Sequence, residues 1–179
     1  MRADSSDYDI LVKPIENQMI QSVWRIVRDP NDADDAFQEA TTTIWKQLGR
    51  IRRHPNPHAL ILKICTDAAY DVLRHRIRHK RGQEQEEAIA AVPDPAPAAT
   101  QLLISRETQA EILQAIGQLS PKQGTAVLMR FVNGLSYNDI AQSFGCREAT
   151  VRKHVARARD RLYEVLEHLL PKSTKEVNE

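Results

Sequence analysis

Residues 135–162 read LSYNDIAQSFGCREATVRKHVARARDRL. Ser136 stands where a helix N-cap belongs, and Asp139 follows three residues later. Ile140, Ala141 and Phe144 share the inner face of the helix that follows. Gly145 supplies the left-handed turn that lets another helix leave at a steep angle. That next helix puts Val151, Val155, Ala158, Leu162, Val165 and Leu169 on one face and its basic residues on the others.

Helix, glycine turn, basic amphipathic helix is a helix-turn-helix layout. The major groove of B-DNA admits one α-helix, and the first turns of that helix meet the base edges. Thr150, Arg152, Lys153 and Arg157 occupy those turns. Arg grips guanine through two hydrogen bonds, and Lys and Arg hold phosphates. The competing reading is a helical hairpin whose charged face is simply solvated.

Upstream, LSPKQ places Ser120 as an N-cap, Pro121 at the first helical position and Gln123 at the capping-box position. Val127, Leu128 and Phe131 form the expected buried face, and Asn133-Gly134 ends the helix. Leu102–Leu119 reads as a further helix with Ile112, Ile116 and Leu119 inward. Before it, residues 82–101 are rich in Pro, Ala and acids, a composition that suits a linker.

The first 81 residues are also helical in pattern, and no segment alternates as a strand does. Ile15, Met19, Val23 and Val27 mark one helix. Asp32 is the expected cap of a second, with Ala36, Ala40, Ile44 and Leu48 inward and Gly49 at its end. Pro57 opens a third, whose core face is Leu60/Ile61, Ile64, Ala68, Val72 and Ile77. The fold class is all-α: a domain over 1–81, a linker over 82–101, a helix-turn-helix domain over 102–170 and a tail over 171–179.

Net charge is +1, but it is sorted into blocks. Residues 1–70 carry −1, residues 71–81 carry +4, residues 82–120 carry −5 and residues 121–179 carry +3. Two basic patches separated by acidic segments suit a protein that touches a polyanion at two places. Apolar runs are too short to span a membrane, and the N-terminus lacks the pattern of a secretory signal, so a cytoplasmic location is expected. Cys65 and Cys146 stand apart, which argues against a disulfide or a zinc site. His75 and His79 share a helix face without a third metal ligand nearby. Neither a P-loop nor an acid–base constellation is present, so no cofactor and no catalytic residue are expected, and the protein reads as a non-enzyme.

Residues 32–45, DADDAFQEATTTIW, hold four acids and no basic residue. An acidic helix repels DNA and should face a protein. It precedes ICTDAAYDVLRHRIRHKR, residues 64–81, in the same small domain. These stretches, in this order, resemble the polymerase-binding and −10-reading segments of bacterial sigma factors. Residues 119–162 resemble the family's fourth conserved region, which reads the −35 element. The short linker leaves no room for a third-region domain, as in the extracytoplasmic-function (ECF) group of the sigma-70 family.

The resemblance implies that Asp32, Asp35, Gln38, Glu39 and Trp45 bind core RNA polymerase. It implies −10 contacts from Asp67, Tyr70, Arg74, Arg76, Arg78, Lys80 and Arg81, and −35 contacts from Arg147, Thr150, Arg152, Lys153 and Arg157. Tyr70 suits either the core or an unstacked base. An anti-sigma factor is a further implied partner. The chain departs from the family pattern at Thr41–Thr43, at Asp67 where Asn is frequent, at Arg147 where Ser often caps, and at Gly124, which costs a helix about 1 kcal/mol. The alternative is a helix-turn-helix regulator that acts without core polymerase.

Overall fold

The computed structural model describes residues 5–83 and 106–169, and these are helical with no strand among them. The helices are α1 (Ser5–Leu11), α2 (Glu16–Val27), α3 (Pro30–Ile51), α4 (Pro57–Gln83), α5 (Arg106–Gly117), α6 (Pro121–Phe131), α7 (Tyr137–Phe144) and α8 (Glu148–Leu166). Single 3₁₀ turns at Lys13–Ile15 and Glu167–Leu169 precede α2 and follow α8. The expected linker, the tail and the start of the helix expected from Leu102 lie largely outside the described residues.

Local chemistry accounts for most boundaries. Asp29, rather than Asp32, caps α3: its Oδ1 accepts the Asp32 N–H at 3.1 Å, and Pro30 takes the first helical position. Gly49 does not end α3, which continues to Ile51 because Ile51 is fully buried and its packing outweighs glycine's helix penalty. In α6, the Ser120 N–H donates to Gln123 Oε1 at 3.4 Å, as the capping box requires. In α7, Ser136 Oγ accepts the Asp139 N–H at 3.1 Å, and Gly145 closes the helix at φ +64°.

The central element is α4. A single expected stripe is too narrow to describe it: Ala59, Leu60, Ile61 and Leu62 are buried in succession, and so are Cys65, Thr66, Ala68, Ala69, Tyr70 and Leu73. Ile64 and Val72, expected in the core, are half-buried. The reason is tertiary, since α2 and α3 cover one side of α4 while α5, α6 and α7 cover another. Both halves of the chain therefore share one continuous core.

Tyr70 anchors that junction. It is 1% exposed, and its hydroxyl lies 2.9 Å from the carbonyl oxygens of both Ile116 and Leu119. Its ring lies on Gly124, where an added Cβ would sit 2.1 Å from the ring's Cζ. The helix-weakening glycine noted in the sequence is thus a close-approach site. Polar contacts extend the junction: Asn133 Nδ2 donates to Thr66 Oγ1 at 2.8 Å, and Asn56 Nδ2 to Asp139 Oδ1 at 2.8 Å. His54 Nε2 is 3.1 Å from the Gln142 carbonyl.

Two expected core residues lie outside it. Phe131 is 67% exposed and Val165 45% exposed, with Tyr163 close to them in sequence or space. Phe131 is the last residue of α6, and Val165 lies beyond Ala158, the last buried residue of α8, so neither meets a covering element. Leu162 and Leu169 are half-buried.

Candidate nucleic-acid interface

The α7–α8 unit forms the expected turn. The Gly145 N–H donates to the Gln142 carbonyl at 3.1 Å and the Cys146 N–H to that of Ala141 at 3.0 Å, closing α7 and redirecting the chain. Val151, Val155 and Ala158 are buried, which turns Arg147, Thr150, Arg152, Lys153 and Arg157 outward. Arg147 precedes α8 without any side-chain capping bond. Arg152 is already engaged: its Nε donates to Glu148 Oε1 at 2.8 Å, and its guanidinium lies 4.3 Å from the Tyr137 ring centroid. Arg130 reaches the same ring at 5.0 Å.

The field at this face is positive. His154 is half-buried and its pKa is lowered, chiefly by burial and then by Lys122, Arg157 and Lys153. Burial and these cations all favour the neutral imidazole. Lys122 and His154 escaped the sequence reading because one comes from α6 and the other sits between marked residues; only the packing of α6 on α8 joins them.

Along α4 the expected −10 residues separate. Asp67 Oδ2 pairs with Lys63 Nζ at 2.5 Å, and Asp67 Oδ1 accepts from Thr125 Oγ1 at 2.8 Å. Arg74 lies over the Tyr70 ring at 5.8 Å. Arg76 turns the other way, toward the α2–α3 junction: its Nε is 3.2 Å from Asp32 Oδ2 and its Nη2 3.8 Å from Asp29 Oδ2. Arg78 is exposed, and the His75 and His79 rings meet at 4.4 Å. No group of three or more metal-binding side chains occurs among the described residues. The side chains of Lys80 and Arg81 lie outside the described residues. The Lys63 partner was legible as an i,i+4 pair.

On α3, Asp35, Gln38 and Glu39 are exposed, and so is Asp34. Among the described residues Asp34, Asp35 and Glu39 have no ion-pair partner, whereas Asp32 has Arg76. Trp45 is 46% exposed, with its ring 5.8 Å from that of Tyr8. Tyr8, Phe37, Gln38, Thr41, Thr42 and Trp45 line a shallow, largely apolar groove beside the acids. Thr41 Oγ1 donates to the Phe37 carbonyl at 2.8 Å, so this hydroxyl is satisfied within the helix.

An acidic face on α3 and basic faces on α4 and α8 thus occur in one chain. A family model for sigma-70 region 2 matches residues 11–79, and one for sigma-70 region 4 matches residues 109–162. The ECF RNA polymerase sigma factor SigC of Mycobacterium tuberculosis is 32% identical over 148 residues, covering 79% of this chain and 76% of its own. The chain belongs to the sigma-70 family.

Its relatives place it in the ECF group of sigma factors. The RNA polymerase sigma-H factor of Pseudomonas aeruginosa is 28% identical, covering 94% of this chain and 91% of its own. Among solved structures, the sigma factor RpoE of Bartonella quintana, crystallised with the anti-sigma factor NepR, is similar in fold. Its TM-score is 0.55 at 22% identity, over 90% of this chain and 97% of that one. The all-α, two-domain fold expected from the sequence agrees with these matches. No described helix is long and apolar enough to cross a membrane.

Proposed function

We propose that the chain directs core RNA polymerase to promoters that carry −10 and −35 elements. The observation that carries this reading is the order of charged surfaces: an acidic face on α3, where Asp34, Asp35 and Glu39 have no ion-pair partner among the described residues, then basic faces on α4 and α8. Residues 1–81 act as the polymerase-binding and −10 domain, residues 102–170 as the −35 domain, and 82–101 as the linker between them. Asp35, Gln38 and Glu39 meet the polymerase through charge and hydrogen bonds, and Trp45 supplies apolar area beside them. Asp32 contributes with its charge already shared with Arg76.

Arg74, Arg78, Lys80 and Arg81 attract the −10 backbone, and Tyr70 and Asp67 address an opened strand. Arg76 acts differently from its basic neighbours, tying α4 to the start of α3. Thr150, Arg152, Lys153 and Arg157 enter the −35 major groove, with Arg147 at its edge. The chain works in the cytoplasm by binding rather than by catalysing a reaction of its own. An anti-sigma factor is its restraining partner.

Run-off transcription with core polymerase and fragmented genomic DNA tests this reading. Promoter-specific transcripts that require the chain are the expected result. Sequence-specific DNA binding without polymerase, and no such transcripts, would identify a free-standing regulator instead.

A further inference from the structure

A polar cleft of about 180 Å³ lies where α2, the start of α4 and the turn after α6 meet. One water needs roughly 10–15 Å³ of such space, so the cleft has room for a larger group. Gln18, Ser22 and Arg25 enter it from a single face of α2, at helical i, i+4 and i+3 steps. His58 comes from the first turn of α4, and Asn133 from the turn after α6.

The cleft is rich in donors. No Asp or Glu lines it. Arg25 has no carboxylate partner among the described residues, and only its Nη1 is engaged, donating to the Val132 carbonyl at 3.3 Å. Gln18 Oε1 is 2.7 Å from His58 Nε2, which leaves the Gln18 amide hydrogens to donate. Asn133 Nδ2 is engaged with Thr66 Oγ1 at 2.8 Å, so its Oδ1 is left to accept a ligand's hydroxyl proton. Ser22 is the most telling member. It is 2% exposed, yet its Oγ has no hydrogen-bond partner among the protein atoms. Buried hydroxyls in folded proteins are otherwise satisfied, by protein, water or a bound group.

We propose that this cleft binds a phosphate group, carried by inorganic phosphate or by a small phosphate monoester. Arg25 supplies the counter-charge and planar N–H donors that match phosphate oxygens. Ser22 and Gln18 supply neutral donors. The Gln18 and Gln21 side chains are exposed, so they can shift as the ligand enters and let it reach the Ser22 hydroxyl. The proposal is independent of the promoter-directing reading, because no residue of the cleft belongs to the polymerase, −10 or −35 sets. Occupancy stabilises the folded chain as ligand concentration rises past the dissociation constant.

Thermal unfolding of the full chain tests this, first in phosphate-free buffer and then with rising inorganic phosphate at constant ionic strength. Holding ionic strength constant keeps screening of the basic faces the same throughout. The wild type should melt higher as phosphate rises, and the gain should follow a single saturating curve. Ser22→Ala should melt no lower than the wild type without phosphate, because it deletes an unpaired hydroxyl and places a better helix former in α2. Its dissociation constant for phosphate should rise at least about tenfold, the worth of one hydrogen bond to a charged group. Arg25→Gln should abolish the saturable gain. A Ser22→Ala variant that is less stable by the same amount with and without phosphate would mean that water alone satisfies the hydroxyl, and would overturn the proposal.

Amide NMR spectra locate the binding. Signals of residues 18–25, 58–62 and 132–133 should shift together with one dissociation constant. Shifts confined to the basic faces of α4 and α8 would place phosphate on those surfaces only and overturn the site. Glycerol phosphate, titrated in parallel, separates the two sources. Tighter binding than inorganic phosphate assigns the site to a monoester, and equal binding assigns it to the phosphate group itself. Binding of neither would refute it.

Discussion

Replacing Tyr70 with Phe removes one oxygen atom from the middle of the molecule and leaves the ring in place. The hydroxyl lies 2.9 Å from the Ile116 and Leu119 carbonyl oxygens. Ile116 keeps a partner in the variant, because its carbonyl also accepts the Leu119 N–H at 3.0 Å. The Leu119 carbonyl depends on Tyr70 among the described residues. A lost bond with one buried acceptor left unpaired costs about 1–3 kcal/mol. In a chain of this size each kcal/mol lowers the melting temperature by roughly 2–4 °C. Alkaline pH gives a second readout. Burial is the main cause that raises the Tyr70 phenol from 10.0 to about 12, with Arg74 opposing and Asp71 adding. The folded chain thus favours the neutral phenol, and the unfolded chain loses that proton first. Between pH 10 and about 12 the unfolded state binds fewer protons, so this contribution is whole below pH 10 and is lost as pH rises. Cys65, raised by burial from 9.0 to about 12, adds a similar loss that begins lower and persists in the variant. Tyr70→Phe should therefore melt earlier at neutral pH and lose less stability than wild type above pH 10. Thermal unfolding followed by circular dichroism across this range, on both proteins, measures it. Identical melting temperatures and identical alkaline profiles would refute the buried, carbonyl-bound hydroxyl.

Other surfaces give separate outcomes. Asp35→Lys with Glu39→Lys should abolish capture by core polymerase while helical content is retained, because both acids are exposed and have no ion-pair partner among the described residues; a pull-down with core enzyme checks this. Arg157→Ala should weaken −35-dependent transcription by about 1–3 kcal/mol if a base contact is lost, and mutation of the −35 element should then have less effect. Lys153→Ala should instead lower affinity on all sequences and reduce the salt slope by about one, as for a phosphate contact. Asp67→Asn should shift base preference at one −10 position, read by selecting active promoters from a randomised library with each protein.

The helices of the α7–α8 unit were legible because caps, glycine and period agree over residues 135–162. The same holds for Pro57 and for the buried alanines of α3. What escaped the sequence came from tertiary contacts, many of them between its halves. Gly124 looked like a weakness, and no local pattern pairs it with a tyrosine 54 positions earlier, where the ring now lies. Periodicity gave α4 one core stripe because period alone cannot know that a second set of helices will cover another side. Phe131 was counted inward by spacing, yet it ends α6 without a covering element. Arg76 was grouped with the basic run by composition, but its partners sit at the start of α3. The candidate site residues followed the same division. Exposure of the α8 set was legible from period, and the burial of Tyr70 was not.

Asp67 poses the sharpest chemical question, because a carboxylate on a helix proposed to meet DNA would repel phosphate. Lys63 answers it. The two are 2.5 Å apart across one helical turn, so together they bring no net charge to the strand. Both side chains are partly exposed, and a pair of that kind contributes little to stability. Its value lies in local charge balance, which leaves the carboxylate free to accept hydrogen bonds. One of its oxygens accepts from Thr125 Oγ1 of α6. If the carboxylate meets a base, it favours one that presents an amino donor, such as cytosine N4 or adenine N6. An Asn at this position offers both a donor and an acceptor, so it relaxes the demand for an amino group. It also leaves Lys63 without its counter-charge. Asp67→Asn should therefore alter base preference and steepen the salt dependence of non-specific binding by up to about one unit, together. A steeper slope with an unchanged preference would assign Asp67 to charge balance alone and remove it from base readout.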